Sequence, residues 1–161
     1  MNKPWSILGK IGFWLTWPAS WIYLRIGTRT RLLMICDKEF LVLRVWLGNG
    51  EWMLPGGGVH RNEEPLVGVL REVEEETGVK LQPQEIRLAY RDTADQHGLK
   101  FVYDCFVVEL SQKPIINMQR GEISAYSWET IKNPKVVLTS DTARAIAWYE
   151  KQERDLSQVE K

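Results

Sequence analysis

Apolar and polar positions follow three different patterns along this chain, and the changes of pattern mark its elements. Residues 31–36 and 40–46 are apolar and rich in β-formers, and they flank Asp37-Lys38-Glu39; this predicts a β-hairpin. Asn49-Gly50 signals a further turn, with a short strand expected over 51–54. Pro55-Gly56-Gly57-Gly58 excludes regular structure and predicts a loop with unusual dihedral angles. From 63 to 77 the period becomes helical: Leu66, Val69, Leu70 and Val73 recur at i, i+3, i+4 and i+7. Asn62 suits the N-cap of that helix and Gly78 its C-terminal cap. Strands are expected again over 85–90, 99–110 and 123–128. A closing helix, capped by Thr139 or Ser140, is expected to run to about Arg154, packing through Ile146, Ala147 and Tyr149. Strands on both sides of a central helix, with a second helix at the end, describe an α/β sandwich.

The opposite face of the central helix is acidic. Glu72, Glu75 and Glu76 stand at i, i+3 and i+4, so their carboxylates are expected to converge on one patch. Such a run is ordinarily a solvated face. Here it lies in the half of the helix where the macrodipole disfavours negative charge. Clustered oxygen ligands suit a hard divalent cation such as Mg²⁺ or Mn²⁺. Arg71 is placed to hold carboxylates of this helix or of Glu63.

The segment Gly57-(five residues)-Glu63-(seven residues)-Arg71-Glu72-Val73-Glu74-Glu75-Glu76-Thr77-Gly78-Val79, led by Trp52-Met53-Leu54-Pro55-Gly56, resembles the Nudix box. The resemblance covers a domain of about residues 27–154, although only 52–79 match a specific motif. It implies the Nudix α/β/α sandwich with a mixed sheet, and a pyrophosphatase-type hydrolase that cleaves a nucleoside diphosphate linked to another group, X. On the same resemblance Glu72, Glu75, Glu76 and the Gly56 carbonyl bind Mg²⁺ or Mn²⁺, while Gly57, Glu63, Arg71 and Gly78 support the site. Gly68 is expected to leave room above the metal patch. The base that activates water is Glu122, Glu72 or another box residue such as Glu76. The stretch Thr93-Ala94-Asp95-Gln96 carries neither the proline linked to ADP-ribose cleavage nor the tyrosine linked to dinucleoside polyphosphates. A nucleoside triphosphate or a nucleotide sugar is therefore favoured. Trp46, Trp52, Phe101 and Tyr103 are candidates for stacking on a base, although strand aromatics are more often core. Histidine is a residue type suited to proton transfer near neutrality, but His60 and His97 show no partner in the sequence.

Composition narrows the setting. Apolar residues form 44% of the 161 and charged residues 26%, which excludes wholesale disorder. Lys plus Arg and Asp plus Glu both number 21, a balance unlike that of proteins held on nucleic acid by bulk charge; no specific nucleic-acid partner is expected. Cys36 and Cys105 lie in apolar runs without metal-ligand spacing and read as reduced core residues of a cytoplasmic chain. Residues 1–26 form a leader with Trp5, Trp14, Trp17 and Trp21, and 155–161 a polar tail. The leader's uncharged run is too short to span a bilayer and is interrupted by Pro18. Three roles are open to it: packing on the domain, a homodimer contact, or a peripheral membrane anchor with Lys3, Lys10 and Arg25 at the headgroups. The alternative to an enzyme is a membrane-docked nucleotide-binding module without catalysis.

Overall fold

The structure is a computed structural model, and it describes residues 28–46, 49–96, 99–118 and 121–159, without the side chains of 94–101 and 159. The leader, His97 and the side chain of Phe101 therefore lie outside the described residues. The chain runs β1 (Arg29–Cys36), β2 (Glu39–Val45), α1 (Pro65–Thr77), a 3₁₀ turn (Pro83–Glu85), β3 (Arg87–Gln96), β4 (Leu99–Glu109), β5 (Ile123–Thr130) and α2 (Ser140–Val159). The five strands form one mixed sheet in the order β3-β4-β1-β2-β5. Only β1 and β4 are parallel; the other neighbours are antiparallel.

Period-two alternation builds two apolar layers from the same strands. Leu33, Ile35, Phe40, Val42, Cys105 and Val107 face one side, where Ala145, Ile146 and Tyr149 of α2 close the layer. Leu32, Met34, Leu41, Leu43, Phe106 and Val108 face the other, covered by Val69 and Val73 of α1. The sheet thus lies between two helices, which is the expected α/β/α sandwich. Cys36 and Cys105 are buried free thiols. No helix among the described residues is long and apolar enough to cross a membrane.

Several expected boundaries move, each for a local reason. The hairpin turn is the two-residue pair Asp37-Lys38, both at positive φ (51° and 63°), and Glu39 already pairs with Cys36. Two positive φ values are what a tight hairpin needs to match strand twist. The segment 51–54 is no strand: Met53 exchanges both backbone bonds with Leu43, whereas Trp52 bonds Val137 and Thr139 on the other side. Asn62 does not cap α1. It takes a left-handed φ of 66° in the preceding turn, and the helix opens on Pro65, with Glu64 extended before it. A proline disfavours helical geometry in the residue before it and suits the first helical position itself. Gly78 does close α1, at φ 72°, with its N–H donating to the Glu74 carbonyl. In α2 the buried set is Asp141, Thr142, Ala145, Ile146 and Tyr149, and Ala147 is exposed. The helix continues past Arg154 because 150–159 contains neither Gly nor Pro.

Candidate active site

The ends of β1, β2, β4 and β5 that meet the glycine loop define one edge of the sheet. β1 leaves residue 28 there, β2 arrives at Val45, and the loop crosses between them. Gly56 has φ 132°, and a Cβ on it would lie 2.3 Å from the Thr30 carbonyl oxygen, so only glycine fits. A Cβ on Gly57 would lie 2.5 Å from the Glu72 carboxyl. Both glycines let backbone and carboxylate approach closely.

The structure divides the three helix carboxylates between two environments. Glu76 is buried and turned inward, where it accepts the Gly56 N–H at 2.9 Å. Burial pushes its carboxyl up to about 8, against the pull of the Gly56 N–H and the Arg31 charge, and Glu72 and Glu122 push it further up. Glu122 therefore stands within electrostatic reach of Glu76. Its carbonyl also accepts the Trp46 N–H at 2.9 Å, which ties the start of β5 to the end of β2.

Glu72 and Glu75 turn instead toward Arg71. That guanidinium donates to both Glu63 oxygens at 3.0 Å, to Glu72 at 2.8 Å, to Glu75 at 3.4 Å and to the Gly58 carbonyl at 3.0 Å. Glu63 also accepts the His60 N–H, and the Arg71 hydrogen bonds together with this one hold its carboxyl down at about 2. Gly68 makes room for this network rather than for the metal patch: a Cβ there would stand 3.2 Å from a Glu63 oxygen. The His60 imidazole is exposed, 4.0 Å from Glu63.

With Arg71 drawing Glu72 and Glu75 aside, no three His, Cys, Asp or Glu side chains among the described residues are gathered closely enough to grip an ion. The donor set still fits a hard divalent cation in its chemistry. Its members are carboxylate oxygens, and Glu76, whose proton affinity is raised chiefly by burial, also has Glu72 and Glu122 as negative neighbours. A cation at that point would offset both the burial and the like charge.

The candidate stacking residues separate. Tyr103 is fully buried, edge-on to Tyr90 with their hydroxyls 3.3 Å apart, so its ring belongs to the core and is not open to a base. Trp52 is half-buried beneath the Arg44 guanidinium, 5.0 Å from its ring centroid. Trp46 is 62% exposed at the site edge.

Reasoning from sequence missed one pair altogether. Arg31 and Asp141 are both buried and joined at 2.8 Å, and Arg31 Nη1 donates to the Gly56 carbonyl at 2.9 Å. The carbonyl expected to bind metal is thus already held on one side. A basic residue inside an apolar strand run was the available signal.

A family model, the NUDIX domain, matches residues 17–150. Nudix hydrolase 6 of Arabidopsis thaliana is 39% identical over 114 residues, covering 67% of this chain and 40% of that protein. A MutT-like protein of Streptomyces ambofaciens is 37% identical over 96 residues, covering 58% and 56%. The chain spans about half the length of the curated relatives it matches. Among solved structures, a MutT NUDIX hydrolase from Burkholderia pseudomallei superposes with a TM-score of 0.67 at 23% identity, covering 76% of this chain and 96% of that one. The box residues, the sandwich and the breadth of the family match agree, and the chain belongs to the NUDIX domain family.

Proposed function

We propose that this protein is a metal-dependent pyrophosphohydrolase that cleaves the diphosphate linkage of a nucleotide, with a nucleoside triphosphate or a nucleotide sugar as the favoured substrate. One observation carries the reading. Glu76 is buried against the Gly56 N–H, with Glu72 pressed on Gly57 and Glu122 within electrostatic reach. A carboxyl buried beside two further carboxylates is one that a bound cation would favour in its charged form.

Glu72, Glu75, Glu76 and the Gly56 carbonyl would hold Mg²⁺ or Mn²⁺, which would neutralise part of the diphosphate charge and make water a stronger nucleophile. Gly56 and Gly57 keep the backbone low enough for the substrate's phosphates to approach the carboxylates. Glu122 takes the proton from the attacking water, with Glu72 as the competing base. Arg71 holds Glu63 and the loop, and its bonds to Glu72 and Glu75 are the ones a bound cation would compete for. Trp46, exposed at the site edge, is the aromatic side chain best placed to meet a base, whereas Trp52 lies between the core and Arg44.

The test is a panel of nucleoside triphosphates, nucleotide sugars and dinucleotides incubated with Mg²⁺, with released phosphate and pyrophosphate measured. Turnover of at least one diphosphate supports the reading. No turnover with either Mg²⁺ or Mn²⁺, alongside retained nucleotide binding, would favour a binding module instead. The Trp-rich leader supports a second element, peripheral attachment to a bilayer through its tryptophans and flanking cations. Co-sedimentation with anionic liposomes checks it, and no sedimentation at low ionic strength rejects it.

A further inference from the structure

The glycine loop is held from both sides of the sheet. Toward α1, the Gly56 N–H is bound by Glu76 at 2.9 Å. Toward α2, the Gly56 carbonyl is bound by Arg31 Nη1 at 2.9 Å, and the same nitrogen reaches the Thr30 carbonyl at 3.3 Å. Arg31 Nε donates to Asp141 in the first turn of α2. A second tie from that turn lies alongside: the Leu54 N–H donates to Thr142 Oγ1 at 3.0 Å. The peptides on either side are tied to β1, the Pro55 carbonyl accepting the Leu32 N–H at 2.9 Å and the Gly57 carbonyl the Thr30 N–H at 2.8 Å, and the bond from Arg31 holds the Gly56 carbonyl between them.

The cost of this arrangement is informative. The side chains of Arg31 and Asp141 are only 2% and 6% exposed. Position 31 shares its sheet face with Leu33 and Ile35 of the layer beneath α2, and an apolar residue there would continue that layer. A dry ion pair is no more stabilising than such a residue, and often less. Packing alone does not account for the charge, and what it touches is the loop carbonyl beside Glu76.

We propose that Arg31 and Asp141 form a buried positioning pair that sets the orientation of the Gly56 peptide and, through it, the placement of Glu76 for catalysis. This rests on the hydrolase reading above. Arg31 acts through the loop and touches no reacting atom. Its planar fork spans Asp141 and two carbonyls at once, which a lysine ammonium cannot reproduce.

The experiment uses the full chain and the nucleotide that wild type turns over best. It reads kcat, KM, Tm, Mn²⁺ affinity by electron paramagnetic resonance, and amide exchange of residues 54–58. Arg31→Lys should fold, lose kcat by about ten- to a hundredfold, and keep KM within about threefold. The double variant Arg31→Met/Asp141→Leu should regain a Tm near wild type, since it removes both buried charges, while kcat stays at least about tenfold low and the loop exchanges faster. Recovery of Tm and kcat together would overturn the proposal and leave the pair a packing feature. If the double variant does not fold, Arg31→Lys decides: unchanged kcat and unchanged loop exchange overturn the proposal. Should wild type itself hydrolyse no nucleotide, the hydrolase reading fails, and loop exchange and Mn²⁺ affinity in Arg31→Lys still judge the pair.

Discussion

Two arginines hold the same glycine loop, and they do so in opposite ways. Arg71 is partly open to solvent and shares its charge among Glu63, Glu72, Glu75 and the Gly58 carbonyl. Arg31 is dry and commits its charge to Asp141 and to two carbonyls. A solvated network with several partners gives up any one of them at small cost. A buried pair that loses one partner leaves a naked charge in the core, which is expensive. The loop is thus fixed rigidly where it meets α2 and held adjustably where it meets α1. The adjustable side is the one that carries Glu72 and Glu75, the carboxylates that a cation would draw inward.

The largest expected effect comes from Glu76→Gln, which keeps the loop contact but removes the buried charge. Turnover should fall by about two to four powers of ten in initial-rate assays. Stability of the metal-free protein should move the other way. An acid held at about 8 binds a proton in the folded state that the unfolded chain releases above the ordinary value of 4.5. Glu76 therefore leaves stability unaffected below that value and erodes it as pH rises from 4.5 toward 8. Urea melts at pH 5 and pH 8 should show wild type losing stability across this window, and Glu76→Gln losing much less.

Breaking the two arginines separately comes next. Arg31→Met alone should cost about 3–5 kcal/mol by leaving Asp141 unpaired, whereas Arg71→Ala should cost about 1 kcal/mol. Equal losses in denaturant melts would erase the contrast between a rigid and an adjustable side. Glu122→Gln should lower turnover by about ten- to a thousandfold with Mn²⁺ affinity within a few-fold, as expected of a base that touches water rather than metal. An unaltered rate would return that role to Glu72. The smallest effect belongs to the Arg71 network. Glu63, held down at about 2, contributes stability that is present above 4.5 and is lost as pH falls from there toward 2. Allowing for solvent screening, acid titration of Glu63→Gln against wild type should show a difference of about 1 kcal/mol above pH 5 that vanishes near pH 2.

Most of the fold was legible because α1 carries an unbroken helical period and the central strands are continuous apolar runs bounded by turn residues. The α1 stripe, the Gly78 cap and the two-layer sheet follow from these patterns directly. The packing face of α2, by contrast, was read one residue wrong at Ala147. Arg71 was legible for a different reason: its carboxylate partners lie one, four and eight residues away, within reach of a helix and the turn before it. Arg31 was not, since its partners lie 25 and 110 residues away and only the folded sheet brings them together. The same limit explains Tyr103, whose place in the core depends on Tyr90 across the β3–β4 hairpin. Asn62 misled because its cap chemistry was overridden by the backbone restriction that Pro65 imposes.

The central claim is that the carboxylates around Gly56 and Gly57 serve the hydrolysis of a diphosphate by water with a divalent cation. A single reaction of the full chain with its best nucleotide in ¹⁸O-enriched water, followed by ³¹P NMR before and after EDTA, tests it most directly. The account predicts one ¹⁸O in one of the product phosphates, arrest on chelation, and recovery when Mg²⁺ is restored. Turnover that continues unchanged in EDTA, or product phosphates without the heavy isotope, would contradict it.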